Sequence, residues 1–172
     1  MGVPFMPVRG VLGTDYLSVR PDFKVLRNPY GDDDLVVVPA ITPDVAVFHA
    51  FRADRDGNVL AFHDQDNWLL AQAAKKVIVT VEEVVDTGRL LRDRLDAVIS
   101  WIHVTAVVHV PHGAHPTSCP GYYGRDVRHI RRYMEQARGD ESFREYLKEC
   151  VAGLGEGEYR QRFVSTSEGE VA

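Results

Sequence analysis

Cysteine is almost missing from this chain. Cys119 and Cys150 are its only two, far apart and in no CxxC pair. A disulfide framework is therefore excluded, and a reducing cytoplasm is the expected setting. A long apolar run is also missing. Nothing approaches the roughly 18 residues that a membrane span needs, and the opening MGVPFMPVRG lacks the apolar segment of a signal peptide. Met6 stands where a myristoylation signal wants Ser or Thr. Basic excess is missing too: the net charge is −5, which leaves no electrostatic footprint for nucleic acid or an anionic membrane. There is no glycine-rich phosphate loop, no GxGxxG, no GxSxG elbow, no HExxH and no internal repeat.

What is present is a chain of 172 residues with ordinary apolar and charged fractions. Length and composition fit one globular domain over residues 1–172. Residues 1–13 read as an apolar arm whose Pro4 and Pro7 forbid a helix and allow an edge strand. Asp15 to Asp34 reads as a long connection carrying Asn28-Pro29-Tyr30-Gly31 and an acidic triplet. Leu35–Val38, Val45–Phe48 and Val77–Val81 are continuous apolar runs. Strands of that kind are buried on both faces, as in parallel or mixed sheets covered by helices. Asn58–Phe62 adds a short strand, and Ala97–Val110 one or two more.

Helices are expected over Asp64–Lys76, with Trp68, Leu69 and Ala73 on its inner face, and over Asp126–Arg138, with Val127, Ile130, Tyr133, Met134 and Ala137 inward. Ser142–Val151 follows, with Phe143, Tyr146, Leu147 and Cys150 inward, and Glu158–Val164 adds a further turn. Together residues 126–164 form a helical C-terminal part, and 165–172 a frayed acidic tail. The fold class is α/β: a mixed, largely parallel sheet flanked by helices.

Two polar clusters follow strands, where α/β enzymes present their chemistry. The first runs through His49, Arg52 and Asp54 into the turn Asp56-Gly57-Asn58. It lacks the ligand register of a calcium loop and reads as a turn. The second is the loop Pro111–Gly124, with His115, Thr117, Ser118, Cys119 and Tyr122. Histidines 103, 109, 112 and 115 could converge on a metal, but without supporting thiols or an HExxH pattern the expectation is no metal. Glu82 and Glu83 close a strand. Adjacent carboxylates rarely point into one site, so one is expected to cap a following turn and the other to be solvated.

Taken as a set, PFMPVRGVLGTDYL, LVVVPAITPDVAVFHAFRADRDGN, AAKKVIVTVEEVVDT and VVHVPHGAHPTSCPGYYGRD resemble the alpha subunits of family I CoA-transferases, of the glutaconate CoA-transferase type. The resemblance covers residues 4 to about 126. It implies a NagB/RpiA/CoA-transferase-like fold, and a hetero-oligomer with a beta subunit that handles acyl-CoA thioesters and small carboxylic acids. CoA enters as substrate, with no further cofactor. The catalytic glutamate is expected on the partner subunit, where it carries a glutamyl-CoA thioester. His49, Arg52, Asp54, His115, Thr117, Ser118 and Tyr122 would wall the substrate side. The family's alpha subunits are longer at the N-terminus, and their glycine-rich oxyanion loop has no match here. The chain therefore reads as the C-terminal half of such a subunit. Two other readings stay open: a CoA-ester hydrolase or ring-opening subunit of the same fold, and a non-catalytic interaction domain.

Overall fold

The computed structural model describes residues 2–63, 65–90 and 96–164. They fall into two compact units, Met1–Pro43 and Asp44–Ala172.

The first unit is a three-stranded antiparallel sheet. Strand β1 (Phe5–Val8) and strand β2 (Lys24–Arg27) flank β3 (Asp34–Pro39), in the order β1-β3-β2. The N-terminal arm thus finds backbone partners in the LVVV run: Phe5 stands opposite Pro39 and Val8 opposite Val36. Pro7 is tolerated because β1 is an edge strand. A helical turn, α1 (Tyr16–Val19), and β2 both lie in the stretch expected to be irregular. Strand β2, KVLR, sets only two apolar residues between two charged ones and is exposed throughout, so no buried run announces it.

The second unit is built on a five-stranded mixed sheet. Its strands are β4 (Val45–Asp54), β5 (Val59–Phe62), β6 (Lys76–Val85), β7 (Asp96–Ile99) and β8 (Ala106–His109), ordered β7-β5-β4-β6-β8. Strands β4, β6 and β8 are parallel neighbours, and β5 and β7 add antiparallel. Both central strands run longer than their apolar cores. Strand β4 continues through His49, Arg52 and Asp54, and β6 continues through Glu82 and Glu83. The β4–β6 ladder holds these polar residues in sheet geometry.

One face of the sheet buries Ala46, Ala50, Val77, Val79 and Val81 beneath helix α2 (Asn67–Ala73). This helix is shorter than expected and turned differently. Ala71 is buried and Leu70 packs on the core, while Trp68 and Leu69 are 49% and 58% exposed. Small alanines on both surfaces let the helix lie close to the sheet. Asp66 stands at its N-cap, and Asp64, the other expected cap, lies outside the described residues. Residues 91–95, expected as helix or loop, also lie outside them, as does the 165–172 tail. Of the one or two strands expected over Ala97–Val110 there are two, split by the 3₁₀ turn Trp101–His103.

Helices α3 (Val127–Gln136), α4 (Asp140–Cys150) and α5 (Glu156–Tyr159) follow, and a π-type turn over Arg160–Val164 completes them. Tyr146, Cys150 and Phe163 form their core with Phe143, Leu154 and Tyr159. The inner face of α3 follows the apolar stripe only in part: Tyr133 packs edge-on against Phe143 and Tyr146. His129 is buried, whereas Val127, Tyr133 and Met134 are 43–60% exposed. Polar pairing sets this helix's rotation: His129 meets the Tyr146 hydroxyl, and Arg132 pairs with Glu149. No helix among the described residues is long and apolar enough to cross a membrane.

Candidate functional site

Parallel registration of β4 with β6 sets His49 directly opposite Thr80. Side chains on a strand alternate faces, so Glu82, two residues on, shares the face of Thr80. The consequence is a tight polar knot. His49 Nδ1 lies 2.8 Å from the Thr80 hydroxyl, and His49 Nε2 lies 2.6 Å from Glu82 Oε1. Tyr123 donates its hydroxyl to the same Oε1 at 2.6 Å, and the His112 backbone N–H donates to Oε2 at 2.7 Å. The Glu82 side chain is only 3% exposed. Its two oxygens therefore exchange water for three donors, which is what makes a buried carboxylate tolerable. Both ring nitrogens of His49 are thus engaged, Nε2 by the Glu82 carboxylate and Nδ1 by the Thr80 hydroxyl.

Glu83, next in the strand, is half exposed and lies 3.9 Å from Arg52. The expected pair of one capping and one solvated carboxylate is thus replaced by one buried hub and one solvated residue. The strand continues through both, and burial separates them. Sequence reasoning passed over Glu82, Thr80 and Tyr123 as site residues. The available signal was the period of two in VIVTVEE, which places Thr80 and Glu82 on one face.

The loop after β8 is moulded onto this knot. Val110, His112 and Ala114 carbonyls accept in turn from the N–H groups of Gly113, His115 and Thr117, making successive tight turns. His112 adopts φ 61°, a left-handed conformation that costs a non-glycine residue about 1 kcal/mol or more. Its N–H thereby points at Glu82. A Cβ at Gly113 would sit 2.8 Å from His49 Cε1 and Nδ1 and 2.9 Å from the Val110 carbonyl oxygen. Only glycine lets the loop lie this close to the imidazole.

Between loop and sheet is a pocket of about 290 Å³, lined among others by His49, Phe51, Phe62, Thr117, Ser118 and Cys119. Apolar rings form much of its wall, and the histidine and two hydroxyl residues supply polarity, the usual make-up of a small-molecule site. The Thr117 hydroxyl donates to the Ala114 carbonyl and so offers the pocket lone pairs. Burial, and then the charge of Glu82, push the Cys119 thiol up to about 12, so it stays protonated and is no nucleophile at neutral pH. Burial likewise pushes the Tyr123 hydroxyl well above its ordinary value, with its bond to Glu82 acting in the same direction.

Of the seven residues expected at the site, the structure brings His49, Thr117 and Ser118 to this pocket. Tyr122 stands beside it, its ring stacked on Phe51 at 6.3 Å. Burial raises its hydroxyl above the ordinary value. Arg52 points toward Glu83, 3.9 Å away, rather than toward Asp54. Its Nε and the Tyr122 hydroxyl have no hydrogen-bond partner among the described residues. Asp54 is taken up by its own turn, accepting from the backbone of Asp56 and Asn58 and from the Asn58 amide. His115 turns away to Tyr159 and Asp126. The four loop histidines do not converge: His109 meets the Glu82 carbonyl oxygen, and His112 stacks on Tyr123.

A model of the coenzyme A transferase family matches residues 1–109. The chain belongs to that family. It is 38% identical over 159 residues to the A-type subunit of the 3-oxoadipate CoA-transferase of Pseudomonas knackmussii, covering 88% of this chain and 54% of that protein. It is 31% identical to the cholesterol ring-cleaving hydrolase IpdA subunit of Rhodococcus jostii, with 88% and 54% covered. The crystal structure of glutaconate coenzyme A-transferase from Acidaminococcus fermentans superimposes with a TM-score of 0.86 at 32% identity, covering 96% of this chain and 58% of that one. The expected fold is thus the observed one. The chain spans about half the length of these coenzyme A transferase family relatives.

Three outcomes follow from this geometry. Glu82→Gln puts an amide where three donors converge, and should lower stability by about 2–4 kcal/mol in urea unfolding; a loss under about 1 kcal/mol would mean that the knot is not a keystone. Gly113→Ala drives a methyl into His49 and should cost about 1–3 kcal/mol in the same measurement. Native Cys119 should resist iodoacetamide at pH 8, where only about one thiol in ten thousand is ionised, and should react readily once urea exposes it; rapid native alkylation would contradict the burial described.

Proposed function

We propose that this chain serves as the alpha-type part of an acyl-CoA:carboxylate CoA-transferase, working with a beta subunit in the cytoplasm. The chemistry is transfer of CoA between carboxylic acids. A glutamate carboxylate of the partner attacks the thioester carbonyl and expels CoA thiolate, giving an acyl–glutamyl anhydride; the thiolate then attacks the glutamyl carbonyl, forming the glutamyl-CoA thioester and releasing the donor acid as its carboxylate, and the acceptor acid runs the same two steps in reverse. The observation that carries this reading is the pocket between the β4–β6 ladder and the loop after β8, in a chain that belongs to the coenzyme A transferase family. On this reading the pocket receives the acyl group. His49, held in place by Glu82 and Thr80, presents its ring edge there, and Thr117 and Ser118 supply polar contacts. Arg52, 3.9 Å from Glu83, and Tyr122, stacked on Phe51, would meet a substrate polar group from β4 and the loop.

A second reading is favoured by the His49–Glu82 couple, which has the composition of an acid/base pair, and by the relative named as a ring-cleaving hydrolase subunit. There, water or a ring carbon of a CoA ester would be the reacting partner in place of an acceptor acid.

Co-expression with a candidate beta subunit, size-exclusion chromatography and exchange of isotopically labelled free acid into acyl-CoA separate the two. A stable heteromer that incorporates label into the thioester is the expected result. A heteromer that releases free CoA without incorporating label would replace the transferase reading with the hydrolase one. A chain that assembles with no beta subunit would overturn both.

A further inference from the structure

We propose that His115, Asp126 and His129 form a binding site for one divalent transition-metal ion, for which zinc is the probe. The cluster is separate from the Glu82 knot, and the argument for it is independent of the transferase reading.

One ring nitrogen of each histidine and one carboxylate oxygen of Asp126 lie within 4.8 Å of one another. The site is enclosed: the side chains of His115 and Asp126 are 3% and 13% exposed, and His129 is buried. Both imidazoles are oriented from outside the cluster by a tyrosine. The Tyr159 hydroxyl meets His115 Nδ1 at 2.9 Å, and the Tyr146 hydroxyl meets His129 Nε2 at 2.9 Å. Outer partners of this kind fix ring orientation and tautomer in ligating histidines. Asp126 is fixed as well. Its Oδ1 accepts from the His129 backbone N–H as the cap of α3, which leaves Oδ2 toward His115.

The spacing has room for an ion. His115 Nε2 and Asp126 Oδ2 are 3.2 Å apart, at the long end for an N–H···O hydrogen bond. Zinc bonds of about 2.0–2.1 Å at the tetrahedral angle place neighbouring ligand atoms about 3.3 Å apart. Two imidazoles and one carboxylate suit zinc and its first-row neighbours and leave a fourth position for water. Such an ion would tie the loop after β8 to the first turn of α3 and, through the two tyrosines, to α4 and α5. Its role would be structural.

The test uses the full chain, stripped with a chelator and titrated with Co(II) and then Zn(II). Expected are one equivalent of cobalt with intense visible bands of tetrahedral type, displaced by zinc. Affinity should fall more than about tenfold in Asp126→Asn and His129→Gln and stay unchanged in His103→Gln, a histidine outside the cluster. Asp126→Asn keeps the helix cap, since asparagine caps as well as aspartate. A wild-type chain without tetrahedral cobalt bands, or binding that survives Asp126→Asn undiminished, would overturn the site. Should both variants unfold, histidine ring resonances of the wild type decide it. Zinc must shift those of His115 and His129; shifts confined to other histidines would overturn the proposal.

Discussion

A buried carboxylate needs donors, and the second unit is arranged to supply them to Glu82. Left unpaired at 3% exposure it would cost several kcal/mol; with three donors it becomes the point where separate parts of the chain are pinned together. His49 comes from β4, Glu82 and Thr80 from β6, and the His112 N–H and Tyr123 hydroxyl from the loop after β8. The left-handed backbone at His112 and the bare α-carbon at Gly113 follow from the same constraint, because the loop must approach closely enough to reach the carboxylate. The pocket is a by-product of this clamping. Its floor is the sheet, its wall is the clamped loop, and His49 belongs to both the clamp and the wall.

The apolar scaffold was legible because burial on both faces leaves a plain mark in sequence. LVVV, VAVF and VIVTV lie within strands β3, β4 and β6 respectively. What could not be read were features fixed by polar partners far away in sequence. Helix α3 shows an apolar stripe over Val127, Ile130, Tyr133 and Met134, yet it buries His129, because a hydroxyl and a carboxylate that both belong to α4 outweigh that stripe. Strand β2 carries no apolar run, since an exposed edge strand beside β3 needs none.

The candidate site divides in the same manner. His49 and the Thr117-Ser118 pair could be found from their places after or within apolar strands. Glu82 was weighed and set aside because neighbouring carboxylates seldom share a site. The two do differ, but by burial: Glu82 is enclosed and Glu83 is half exposed. The partners of Asp54 and His115 were invisible: Asp54 closes on a turn of its own, while His115 reaches residues 11 and 44 positions away.

The β4–β6 ladder pairs residues 31 positions apart, and the loop adds donors about 30 positions further still. No local segment of the chain can hold even two walls of the pocket. Closing such distances comes at an entropic cost before any contact rewards it, and Glu82 cannot be desolvated favourably until its last donor arrives. The pocket therefore depends on strands and loop together, and any chemistry it supports belongs to the completed fold.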